Sequence, residues 1–248
     1  MTEVLERGDV SFFYRPRVDV EKVRGAGDVA RMLFVLEPDA RHPTRLIVVG
    51  RKRLPDPARH ERAWALVAEV AGRPDELREA LLQRAYETRT RGVRVRPAAR
   101  PAGEGRYVIA THEDHSHLAY GLELPPEPGE AQRLLGLCRE ASFIVAVRNP
   151  DAPAPPGAGV PRSRRAQLPP QLLERFGGRR WHAVDDPALL DHPGVELLLI
   201  GAHADVESEL GIALDLEAED LAAAELFARL RLRPDELPRD ALLRGGLH

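Results

Sequence analysis

Hydrophobic positions in this chain come in short runs broken by proline and glycine rather than by long polar tracts. Residues 8–18 (GDVSFFYRPRV) predict a strand with Phe12 and Tyr14 on one face and Phe13 on the other, ending at Pro16 or lying at a sheet edge. Arg15 and Arg17 flank that proline on the expected edge, where a partner could add a strand. A loop over 20–27 leads to two further apolar runs, 30–37 (ARMLFVLE) and 44–53 (TRLIVVGRKR). Three consecutive strands with short connections are expected to pair antiparallel.

Residues 58–71 (ARHERAWALVAEVA) predict a helix, because Trp64, Leu66, Val67 and Val70 recur at roughly helical spacing and Gly72 offers a stop. A second helix is expected from Pro74, burying Leu77, Leu81, Leu82 and Ala85. Val93 and Val95 alternate with Arg94 and Arg96 as a short strand, and 96–105 reads as a loop. Residues 106–125 (RYVIATHEDHSHLAYGLELP) predict a β-hairpin turning at Glu113-Asp114. A helix near 129–140 and a strand over 142–148 (SFIVAVR) follow. Beyond a proline- and glycine-rich break come a short helix at 168–176, strands at 180–184 and 195–202, a helical turn at 206–210 and an acidic helix at 217–230.

The runs echo one another. Gly8 and Gly105 each open an aromatic strand, residues 33–37 align with 119–123, and residues 46–51 align with 143–148. The expected fold class is therefore α+β: a mostly antiparallel sheet from two duplicated β-β-β units, with helices packed on the sheets. The expected organisation is a main domain over 1–150 containing this repeat, a linker over 151–167, and a smaller acidic α/β region over 168–248.

With 248 residues, 43% of them apolar and 30% charged, the chain has the composition of a folded globular protein. Its single cysteine, Cys138, sits in an apolar pattern and cannot form an intramolecular disulfide. The N-terminus lacks the basic and apolar segments of an export signal, so a cytoplasmic protein of a bacterial type is expected. Apolar runs reach about five residues where a bilayer span needs ~20, and no membrane partner is expected. All but Lys22 and Lys52 of the 36 cationic residues are arginine, as GC-rich coding produces. Charge is segregated: residues 183–227 hold twelve Asp or Glu and no Lys or Arg, leaving a basic body.

Two clusters carry candidate chemistry. His112, His115 and His117 fall within six residues beside Glu113 and Asp114. With a two-residue turn, His112 and His115 are cross-strand neighbours and His117 shares their face. Three imidazoles with Asp114 in reach suit a divalent metal such as zinc, with Glu113 or Asp114 as ligand or base. The second cluster is basic: Arg89, Arg91, Arg94, Arg96 and Arg100, joined by Arg51 and Arg53, could bind an anion or an acidic partner. It lacks the interleaved aromatics of a nucleic-acid surface. Elbow, Walker, dinucleotide and zincin motifs are absent. Three functions follow as expectations. The first is a non-catalytic interaction or regulatory protein with a protein partner or self-association. The second is a metal-dependent hydrolase built on the histidines. The third is a nucleic-acid-binding protein built on the arginines.

Overall fold

The computed structural model describes residues 2–40, 42–88, 92–153, 160–216, 225–233 and 237–246. The strands in chain order are β1 (Thr2–Pro16), β2 (Val29–Pro38), β3 (Thr44–Val49), β4 (Arg62–Ala71), β5 (Arg84–Thr88), β6 (Gly92–Arg96), β7 (Arg100–His112), β8 (His115–Leu124), β9 (Glu140–Arg148), β10 (Trp181–Ala183) and β11 (Glu196–His203). Around the sheet the neighbours run β1, β2, β3, β4, β11, β9, β8, β7 and back to β1, every pair antiparallel. Eight strands thus close into a barrel. The ninth, β10, takes over beside β9 at Ala146, where β8 stops pairing at Val145.

This overturns the α+β expectation. Of the described residues 42% are strand and 19% helix, and the sheet closes on itself instead of carrying helices on open faces. Local pattern reveals strands but not which edges meet, and the closing pairs β1–β7 and β4–β11 join residues between 86 and 138 positions apart. Residues 62–71 form β4, not a helix. Ala63, Ala65 and Val67 point into the barrel, while Trp64 and Leu66 face outward, where Trp64 packs against Trp181 at 5.1 Å between ring centroids. With both faces apolar, the two-residue period of a strand was disguised as a helical stripe. The 96–105 loop is likewise corrected, since β7 begins at Arg100. Pro101 is tolerated because only β1 lies beside it there; β8 begins pairing at Glu104. Arg15 is not an exposed edge residue: β1 pairs with β2 through Pro16 and with β7 up to Tyr14, and the buried Arg15 guanidinium donates to the carbonyls of Ala80 and Pro97.

The barrel is filled. Phe12, Phe34, Tyr107, Tyr120 and Phe143 meet inside it, leaving a cavity of about 10 Å³ with apolar walls. An eight-stranded barrel is narrow enough for side chains to occupy its interior, so this lumen is a core rather than a ligand site. Short helices cover parts of the outer wall. Helices α1 (Arg78–Leu81), α2 (Glu130–Leu135), α3 (Pro170–Glu174), α4 (Val206–Leu210), α5 (Glu225–Arg229) and α6 (Asp240–Arg244) are each at most six residues long. Leucines 81, 226, 230 and 242 pack on Phe13, Leu33 and Val35, which point outward from β1 and β2. Val206 and Leu210 of α4 pack on Val108, Ala110 and Ala119 outside β7 and β8. Residues 217–224 of the expected acidic helix lie outside the described residues. No helix among the described residues is long and apolar enough to cross a membrane.

The topology comprises two four-stranded meanders, β1 to β4 and β7, β8, β9, β11, joined side by side. The echoing segments occupy β1 and β7, β2 and β8, β3 and β9 in that order. The first two alignments keep the barrel-facing residues in phase, with Val10 over Tyr107 and Phe34 over Tyr120. The third is one residue out, because it sets the inward Ile47 over Ile144, whereas Phe143 and Val145 face the core.

Gly8 and Gly105 have a common packing role. A Cβ on Gly8 would lie 2.1 Å from the Glu37 carbonyl oxygen, and one on Gly105 would lie 2.0 Å from that of Gly121. At both places the neighbouring strand's backbone fills the space a side chain needs. Gly105→Ala is expected to destabilise the barrel by roughly 1–3 kcal/mol through overpacking. Urea denaturation would register this as a lower midpoint; an unchanged midpoint would show that the strands can separate freely there.

Candidate functional site

The hairpin turns at Glu113, which adopts a φ of +56° and lets two residues reverse the chain. His112 and His115 are directly paired across β7 and β8, and His117 lies opposite Ala110. This is the register expected from the sequence. All three imidazoles lie on the outer face of the wall, since Leu118 and Tyr120 take the inner one. The rings gather closely: centroids are 6.0 Å apart for His112–His115, 6.0 Å for His112–His117 and 4.9 Å for His115–His117.

Each ring is held by Nδ1. His112 Nδ1 meets Thr2 Oγ1 at 2.9 Å, because β1 begins beside the end of β7. His115 Nδ1 meets Asp114 Oδ1 at 3.0 Å, and His117 Nδ1 meets Ser142 Oγ of β9 at 2.8 Å. The contact with His115 lowers the pKa of the exposed Asp114. Asp114 thus steadies His115 from the Nδ1 side.

His117 is the buried member, 1% exposed. Burial, reinforced by the neighbouring His115 and His112, pushes its pKa down to about 4, so it is neutral at pH 7. Helix α4 covers it. The apolar contacts of Val206 and Leu210 seat that helix, and its Glu209 carboxylate comes within 3.9 Å of His117 Nδ1. His117 Nε2 and Glu209 Oε2 are both buried without a hydrogen-bond partner. Among the described residues, no three His, Cys, Asp or Glu side chains are already spaced to hold a metal ion. Sequence reasoning missed Ser142 and Glu209. Ser142 carried no signal beyond its place in a strand, and Glu209 lay unmarked in an acidic stretch.

The described arginines of this set are each engaged within the fold. Arg89 and Arg91 lie outside the described residues. Arg94 pairs with Asp19 at 2.8 Å, Arg96 donates to the Ala80 carbonyl, and the buried Arg100 donates to the Glu21 carbonyl at 2.7 Å. Arg51 and Arg53 both approach Glu61, at 4.0 and 2.8 Å. The charge segregation along the sequence is partly neutralised within the fold. Acids from the C-terminal region meet arginines of the barrel, Asp191 on Arg45, Glu196 on Arg148 and Asp215 on Arg7.

Strands β5 and β6 form a separate two-stranded ribbon outside the barrel. Sequence reading placed Ala85 on a helix; the described chain is already extended at Arg84. Val93 is 71% exposed, Val95 41% and Tyr86 42%. Val93 and Val95 share a face with Glu87 and Ala85, while Tyr86 stands opposite Arg94 on the other. Arg94 at one side and the Ala99 amide bonded to the Leu81 carbonyl tie the ribbon to the body.

The chain matches no protein-family model, no curated protein and no solved structure.

Proposed function

We propose that this is a non-catalytic interaction protein that binds an acidic, extended segment of a protein partner along the β5–β6 ribbon. The observation that carries this reading is the uncovered apolar surface of that ribbon, Val93 above all. A two-stranded ribbon is marginal in water and gains from a third strand or a covering surface. Its charge selects the occupant. Antiparallel pairing of β6 with a second β6, centred on Arg94, would set Arg94 against Arg94, which disfavours self-pairing. Glutamate or aspartate alternating with apolar residues would lay its apolar side chains on the valines and compete with the exposed Asp19 for Arg94. The filled barrel serves as the rigid body that carries the ribbon.

The test is affinity capture on immobilised wild-type protein and on Val93→Asp/Val95→Asp, followed by titration of the purified retained protein. The expected result is a partner bound one to one, released by 0.5 M salt and ignored by the double variant. Equal retention by both proteins, or binding insensitive to salt, would overturn this assignment.

A further inference from the structure

We propose that His112, His115, His117 and Glu209 form a four-ligand site for a borderline divalent cation, zinc or cobalt, that pins helix α4 to the β7–β8 hairpin. This rests on the hairpin tip and is independent of the ribbon. Three observations converge on it. First, the three rings cluster at 4.9–6.0 Å. Zinc–nitrogen bonds of about 2.0–2.1 Å in a tetrahedral three-histidine set place ring centroids ~5 Å apart, a spacing these rings approach, and ring rotation must then bring the nitrogens to one point. Second, each Nδ1 already has an oxygen partner, Thr2, Asp114 or Ser142. Such contacts set the ring tautomer and leave Nε2 as the metal donor. Third, His117 Nε2 and Glu209 Oε2 are buried without a hydrogen-bond partner, on side chains that approach to 3.9 Å between His117 Nδ1 and Glu209 Oε1. Leaving a donor or acceptor buried and unpaired is unfavourable, and a cation shared by the two satisfies both.

The donors are near one another but not at coordination distance, so binding must draw them in. His112 and His115 are only half-buried and can turn about their side-chain torsions, while His117 is fixed by its burial and by Ser142. Three imidazoles and one carboxylate suit zinc or cobalt better than magnesium or calcium, which prefer all-oxygen sets. With Glu209 as fourth ligand a tetrahedral ion has no open position for water. The site is then a clasp between α4 and the barrel, not a hydrolytic centre.

The experiment is equilibrium dialysis of the full chain, stripped of metal, against Zn²⁺, with a parallel Co²⁺ titration read by visible absorption. Expected are one metal per chain and the intense absorption of four-coordinate cobalt. Binding is lost in His115→Gln and His117→Gln and weakened about tenfold or more in Glu209→Gln. Amide exchange over 206–210 slows when Zn²⁺ is added. No stoichiometric metal, or binding undiminished in both histidine variants, would overturn the site. Histidine-dependent binding that ignores Glu209→Gln and leaves exchange at 206–210 unchanged would overturn the clasp. His115 is at the partly exposed tip, so its variant remains informative if His117→Gln does not fold.

Discussion

Arg45→Met is expected to destabilise the protein by about 3–5 kcal/mol, because it leaves a carboxylate buried without its cation. Arg45 is fully buried and forks onto Glu6, with Nη1–Oε1 at 2.6 Å and Nη2–Oε2 at 3.0 Å, while Nε donates to Asp191 at 2.7 Å. Tyr107 donates its hydroxyl to the same Glu6 at 2.7 Å. Burial alone would lower the pKa of Arg45, but Glu6 and Asp191 outweigh it and hold it above the ordinary value. The group therefore joins β1, β3 and β7 with the segment preceding β11, closing one end of the barrel core around charge. Urea denaturation at pH 7 measures the loss. The double variant Arg45→Met/Glu6→Leu is expected to recover most of it, since removing both ions also removes their desolvation cost. A single variant within about 1 kcal/mol of wild type would mean that water reaches Glu6 and that this end of the core is open.

Stability is expected to fall by up to about 3 kcal/mol as pH drops from ~6.5 to ~4, through His117 alone. In the unfolded chain its imidazole takes up a proton near pH 6.5; in the folded protein burial holds that event down to about 4. Between those values the unfolded state binds more protons, so acid favours unfolding. Above the window the imidazole is neutral in both states, and below it protonated in both, so neither region adds a further pH slope. Denaturation free energies of wild type and His117→Gln, measured every half pH unit, isolate the contribution because other groups cancel. Parallel curves would show that His117 is not shielded by α4 as described.

The hairpin tip was the part of the site most legible from sequence. Alternation in RYVIATHEDHSHLAYGLELP defines faces by a local rule, and a two-residue reversal at Glu113-Asp114 sets His112 opposite His115 without reference to the rest of the chain. Glu209 was not legible there. Its approach to His117 depends on α4 being seated by Val206 and Leu210 on β7 and β8, a contact between distant segments. The arginines taught the opposite lesson. Their density was plain, but a count of charges does not say which carboxylates fold against them, and Asp19, Glu61 and the Glu21 carbonyl already engage the described ones.

By itself the sequence determined most of the strands, the hairpin register and the local equivalence of Gly8 with Gly105, all consequences of side-chain periodicity over a few residues. Tertiary structure alone decided that the sheet closes, that residues 62–71 join its wall, and that Arg45 and His117 are buried beside carboxylates from far along the chain. The physical reason is that strand edges carry the same amide and carbonyl groups whatever their side chains. Partner choice is therefore settled by the packing of the whole core, not by any one run of residues.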